Sequence, residues 1–116
     1  MRRFWVHMTR VNVNGLEAAR SACRAASGAL ELVTPPDSGC LAGVGYWQEV
    51  QRLLRLEFPE LPLTLYVDCG ANAAIAHDAL RLGLDVVVDV TPAMLAKLLA
   101  IAEGQGVKCV MRHRPS

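Results

Sequence analysis

Residues 85–90 read Asp-Val-Val-Val-Asp-Val, three β-branched residues in succession with no helical spacing, and a helix-start pair, Thr91-Pro92, stands directly behind them. Side chains alternate across a strand, so an unbroken apolar run presents apolar groups to both sides of its sheet. Such a strand is buried on both faces. Parallel sheets covered by helices produce that pattern, whereas a half-exposed antiparallel strand alternates apolar with polar.

The rest of the chain supplies matching elements. Leu63-Thr64-Leu65-Tyr66-Val67, Leu30-Glu31-Leu32-Val33 and Val107-Lys108-Cys109-Val110-Met111 read as further strands, and a fifth is expected within Phe4 to Val13. Between them lie segments of helical length. Thr91 is suited to cap a helix running to about Glu103, with Pro92 at its first position, where the missing N–H costs nothing. Asn72 is expected to cap an Ala-rich helix ending at Gly83, and Asn14 another ending at Gly28. A fourth helix, from about Tyr46 to Phe58, is closed by Pro59 and Pro62. Strands and helices therefore alternate, which implies right-handed crossovers and one three-layer α/β/α domain spanning residues 1–116. A mostly parallel five-stranded sheet in the flavodoxin-like order 2-1-3-4-5 is the expected topology. A half barrel completed by a second subunit is the alternative.

Composition narrows the function. With 116 residues, 53% hydrophobic and 20% charged, the chain is long enough to bury its own core, so no metal or disulfide is required to hold it. A net charge of +1 with scattered arginines argues against nucleic acid. The one basic cluster, Arg112-His113-Arg114, reads as a solvated tail. No apolar run approaches the roughly 20 residues of a membrane span, and Arg2-Arg3 is followed by His7, Arg10, Asn12 and Asn14 rather than the apolar core of a leader peptide. A cytoplasmic protein is the expectation. Cys23, Cys40, Cys69 and Cys109 are too far apart for zinc or redox motifs, so reduced thiols and no cofactor are expected.

In open parallel sheets ligands bind beyond the carboxyl ends of the strands, where helix amino-termini present unpaired N–H groups. Three stretches qualify. The connection Thr34 to Gly45 is long for its position and carries Thr34, Asp37, Ser38, Gly39 and Gly43, which together could contact an anion; its spacing matches no phosphate motif. Asp68-Cys69-Gly70 and Asn72 follow the third strand, and Asp89 and Thr91 the fourth. Cys69, lying before a helix start, is a candidate thiolate nucleophile, with small packing residue as the plain alternative. Asp68 and Asp89 could share a proton or hold Mg²⁺; the plain alternative is that each caps the helix behind it. Trp5, Tyr46 and Trp47 are large groups near loops and are expected to anchor a homo-oligomer.

The pairing of Asp68-Cys69-Gly70 with Ala79-Leu80-Arg81-Leu82-Gly83-Leu84 resembles a pattern in small uncharacterised bacterial α/β proteins, over roughly the second half of the chain. That resemblance implies no activity. The alternating elements also resemble phosphate-accepting receiver domains, but no acidic pair ends the first strand and no lysine ends the fifth. Two functions remain. One is a binding or assembly module for a small anionic ligand or a protein partner. The other is a small-metabolite enzyme using Asp68, Cys69 and Asp89, which lacks a nearby histidine base.

Overall fold

The valine run forms the strand it demands, and the computed structural model, which describes residues 9–112, places that strand inside a five-stranded parallel sheet. The elements are β1 (Thr9–Asn12), α1 (Leu16–Ala25), β2 (Leu30–Val33), α2 (Ser38–Leu41), α3 (Val44–Glu57), β3 (Leu63–Gly70), α4 (Ala73–Arg81), β4 (Asp85–Val88), α5 (Pro92–Gln105) and β5 (Cys109–Met111). The part of the first-strand expectation that covers Phe4 to Met8, and Trp5 with it, lies outside the described residues.

Every strand pairs in parallel with the next one in sequence, so the order is β1-β2-β3-β4-β5. The flavodoxin-like order would put β1 between β2 and β3; here β1 is the edge strand. This difference changes where the helices go. Right-handed crossovers that always step the same way deposit every helix on the same side of the sheet. The core agrees. Leu30, Leu32, Leu65, Val67, Val86, Val88 and Cys109, which share one face, form a single apolar cluster with Cys23 of α1, Trp47 and Leu54 of α3, Leu80 of α4 and Leu98 of α5. The helices touch in the sequence α1, α3, α4, α5. They form one layer rather than the two of a three-layer sandwich, and the half-barrel alternative matches this strand order.

The opposite face carries Val33, Tyr66, Asp85 and Val87, in register across β2, β3 and β4. Tyr66 and Val87 are only 5% and 8% exposed but stand outside the apolar cluster. Both sides of the valine run are thus buried, by different means.

Helix ends follow local chemistry. Asn72 accepts from the Ile75 N–H at 3.0 Å, and Thr91 accepts from the Met94 N–H at 3.2 Å with Pro92 at the first turn. The α1 terminus departs from expectation: Gly15, not Asn14, precedes it without a side-chain cap, and the Tyr46 hydroxyl takes the Leu16 N–H at 3.0 Å. Trp47 is also corrected. It is 1% exposed and donates its indole N–H to the Ser38 carbonyl at 3.3 Å, so it anchors the long connection from inside the core and offers no surface to a partner. Tyr46 is 42% exposed.

Candidate functional site

Strands β2, β3 and β4 deliver Asp37, Asp68 and Asp89 to one rim, as parallel strands must. What gathers them is Arg112. Beyond β5 the Arg112 N–H bonds the Val88 carbonyl at 2.7 Å, and its side chain reaches across the width of β4 to β3. Nε and one terminal nitrogen of its guanidinium grip the two carboxylate oxygens of Asp68 at 3.2 and 2.6 Å, a bidentate pair. The same guanidinium lies 3.4 Å from Asp37 and 3.8 Å from Asp89. The Asp68 hydrogen bond is the main cause of the raised Arg112 pKa, so this cation holds its charge. Reading the tail cluster as solvated missed it. Arg112 is one alternation step beyond Val110, and that spacing was the available signal for its facing the aspartates.

Asp68 is the hub of the rim. It is 4% exposed, and its Oδ1 also accepts the Asp37 N–H at 3.0 Å and the Gly70 N–H at 2.9 Å. It caps no helix; Asn72 and Thr91 do that work. Thr34 and Ser38 are buried and joined by a hydroxyl–hydroxyl bond, and Thr34 accepts the Asp68 N–H at 2.9 Å. The connection is therefore stitched to the end of β3, and its four-residue α2 uses the N–H groups of Cys40 and Leu41 on the Asp37 carbonyl.

Close approach at this point depends on two glycines. The β3–β4 register shifts between Asp68 and Gly70, a bulge that leaves Gly70 at φ +58°, and a Cβ there would overlap the Asp37 carboxylate. Asp37 itself is left-handed at φ 63°, a conformation aspartate tolerates better than most residues. At Gly39 a Cβ would come within 3.0 Å of the Cys69 sulfur. Gly43, by contrast, borders open space at φ +88° and takes no part in the rim.

Cys69 behaves oppositely to an activated thiol. Fully buried against the helix layer, it has its pKa pushed up to about 12, first by desolvation. Cys40 is exposed, with its sulfur 4.0 Å from the Cys69 carbonyl. His77 sits on the outer surface of α4 near Asp78. Among the described residues no group of three or more histidine, cysteine, aspartate or glutamate side chains is placed to hold a metal ion.

Of the candidates named from sequence, Asp89 and Thr91 line a shallow cleft of about 470 Å³ at the β3 and β4 exits, together with Ala71, Ala73, Val90 and Met94. Asp37, Asp68, Gly70, Thr34 and Ser38 meet at the Arg112 network beside it. Asn72 is spent on its own helix. No family model matches this chain, and no curated protein matches its sequence.

Proposed function

We propose that this protein is a non-catalytic assembly module, a half barrel that a second copy of the same chain completes. The observation that carries the reading is the sequential strand order with every long helix on one side of the sheet. Among the described residues β1 and β5 are the two edges of this sheet, and parallel strands allow β5 of each copy to lie beside β1 of the other about a two-fold axis. At the β5 edge Val110 and Met111 are 37% and 41% exposed, an apolar edge that isolated domains ordinarily blunt with charge or cover. Thr9 and Val11 of β1 would face them from the partner copy.

The rim supports assembly over catalysis. Asp68, Thr34 and Ser38 are committed to internal hydrogen bonds, and Cys69 is a buried thiol. A small anionic ligand would have to compete for Arg112 with the carboxylate of Asp68. Light scattering on the eluting protein tests the reading: a particle of twice 12.6 kDa is expected, reduced to the single chain by Val110→Lys with Met111→Lys. A monomer at every concentration, or a dimer indifferent to both lysines, overturns it.

A further inference from the structure

Of the three asparagines in the chain, Asn12, Asn14 and Asn72, only Asn14 is followed by glycine. That pairing carries chemistry of its own. The backbone nitrogen of the residue after an asparagine can attack the side-chain amide, and the side chain that obstructs this approach elsewhere is missing in glycine. The capping role expected for Asn14 would have held its amide in place. Gly15 stands at the α1 terminus instead, and Asn14 is exposed, its side chain in no hydrogen bond among the described residues.

The fold leaves the reacting atoms at liberty. Among the described residues the Gly15 N–H meets no acceptor, and the Gly15 backbone is extended at φ 177°. The next N–H, that of Leu16, is bonded to the Tyr46 hydroxyl at 3.0 Å, so the start of α1 is held by a group outside the reaction. Asn12 and Asn72 are placed differently. After Asn12 comes Val13, β-branched and buried, whose N–H is bonded to the Val33 carbonyl at 3.0 Å. The Asn72 side chain accepts the Ile75 N–H at 3.0 Å, and Ala73 behind it is already the first residue of α4. Each of these two would have to give up a hydrogen bond of the fold before it could cyclise.

We propose that Asn14-Gly15 is a self-modification site, at which the folded protein deamidates through a cyclic imide. The Gly15 nitrogen, on losing its proton to solvent, forms a bond to Asn14 Cγ; the Cγ–Nδ2 bond breaks, and the amide nitrogen takes up a proton and leaves as ammonia. Water then adds to either carbonyl of the ring and opens it, giving aspartate or isoaspartate. No electrons are transferred, and water is the only co-reactant. Ring closure consumes an N–H that bonds nothing in the described fold, so it breaks no hydrogen bond. The carboxylate it leaves stands one residue before Gly15, at the start of a ten-residue helix without a side-chain cap, where the helix dipole favours negative charge. Glu17, the acid already in that first turn, is paired with Arg20 at 2.6 Å.

The test incubates the full chain in mildly alkaline buffer, digests it and reads peptide masses, with fragmentation assigning the position. Asn14 is expected to gain the mass of an amide-to-acid conversion, in two chromatographically separate forms, at least about tenfold faster than Asn12 or Asn72. The rate should rise with pH, because the attacking nitrogen must lose its proton. Gly15→Ala should slow the conversion, and Asn14→Ser should abolish it without disturbing Gly15, where a Cβ would stand 3.1 Å from the Tyr46 hydroxyl. Asn14→Asp, which makes the aspartate product directly, should raise the thermal midpoint by roughly 1–4 °C. No mass gain in the folded chain under conditions that modify the same chain in urea, equal rates at Asn12 or Asn72, or a rate indifferent to Gly15→Ala overturns the proposal. A midpoint lowered by Asn14→Asp overturns the part assigned to the helix dipole.

Discussion

The strand-exit rim and the surface between α3 and α4, where Gln48, Gln51, Arg52 and Arg55 lie, both concentrate polar side chains, yet they spend them differently. At the rim Asp68 collects two backbone N–H groups and a bidentate guanidinium, Thr34 and Ser38 bond each other, and Arg112 is shared among three carboxylates. On the α3–α4 surface Gln48 and Gln51 each give one amide hydrogen bond to a carbonyl at the end of α4, Gln51 keeps a sealed oxygen without a donor, and the Arg52–Glu49 pair stays exposed. Polar density alone therefore misleads. A cluster whose members satisfy one another, as at the rim, is scaffold.

The largest effect should come from breaking the rim. Asp68→Ala strips donors at Asp37 and Gly70 of their acceptor and leaves a guanidinium among fewer carboxylates, which should cost about 3 kcal/mol in urea unfolding. Arg112→Ala should cost about 1 kcal/mol, since its side chain is 30% exposed and partly screened by water. If Asp68→Ala changes stability no more than the ~0.5 kcal/mol of an ordinary surface substitution, the rim is not scaffold and the contrast with the α3–α4 surface fails.

A loss between those two, about 2 kcal/mol, is expected for Gly70→Ala, from backbone strain at positive φ plus the collision with Asp37. The two contributions separate in a double-mutant cycle. Combining Gly70→Ala with Asp37→Ala should restore the steric part and leave the backbone part. Strict additivity would show that the Asp37 side chain does not occupy the place assigned to it.

Much of the scaffold was legible because short-range chemistry dictates it. Val86 to Val88, the cap at Asn72 and the Thr91-Pro92 start needed no tertiary information, and α5 and β2 fall where their residues place them. Strand order was not legible, since a crossover of given length can step to either side of the preceding strand. That one unknown moved β1 to an edge and merged two helix layers into one. At the site, Asp37, Asp68 and Asp89 were found by position alone, but their roles were decided by Arg112, which comes from an element far along the chain. Trp47 misled for a related reason: a tryptophan beside a glycine-rich connection looks exposed until α2 folds back and gives its indole a carbonyl. Nothing in the sequence separates Gln51 from Gln48, because the difference is only which amide is left with an unmatched oxygen after α4 has docked.

The smallest effect at neutral pH, and the most selective, concerns the thiols on either side of the α2 connection. Cys40 is exposed at the surface while Cys69 is sealed beneath it, so iodoacetamide should label Cys40 first, and Cys69 only at the rate at which the native structure opens. Rapid labelling of Cys69 at neutral pH would reverse its assignment as packing. Alkaline titration reads the same burial thermodynamically. In the unfolded chain a thiol releases its proton from about pH 9.0, whereas folded Cys69 holds its proton to about 12. Between those values the unfolded state binds fewer protons, so stability falls as pH rises, by on the order of 1 kcal/mol per pH unit. Tyr66, also raised by burial, adds to the loss above its ordinary value of 10.0. Cys69→Ala should reduce the slope that begins near pH 9.0. A slope that Cys69→Ala leaves unchanged would mean that the connection does not seal the β3 exit.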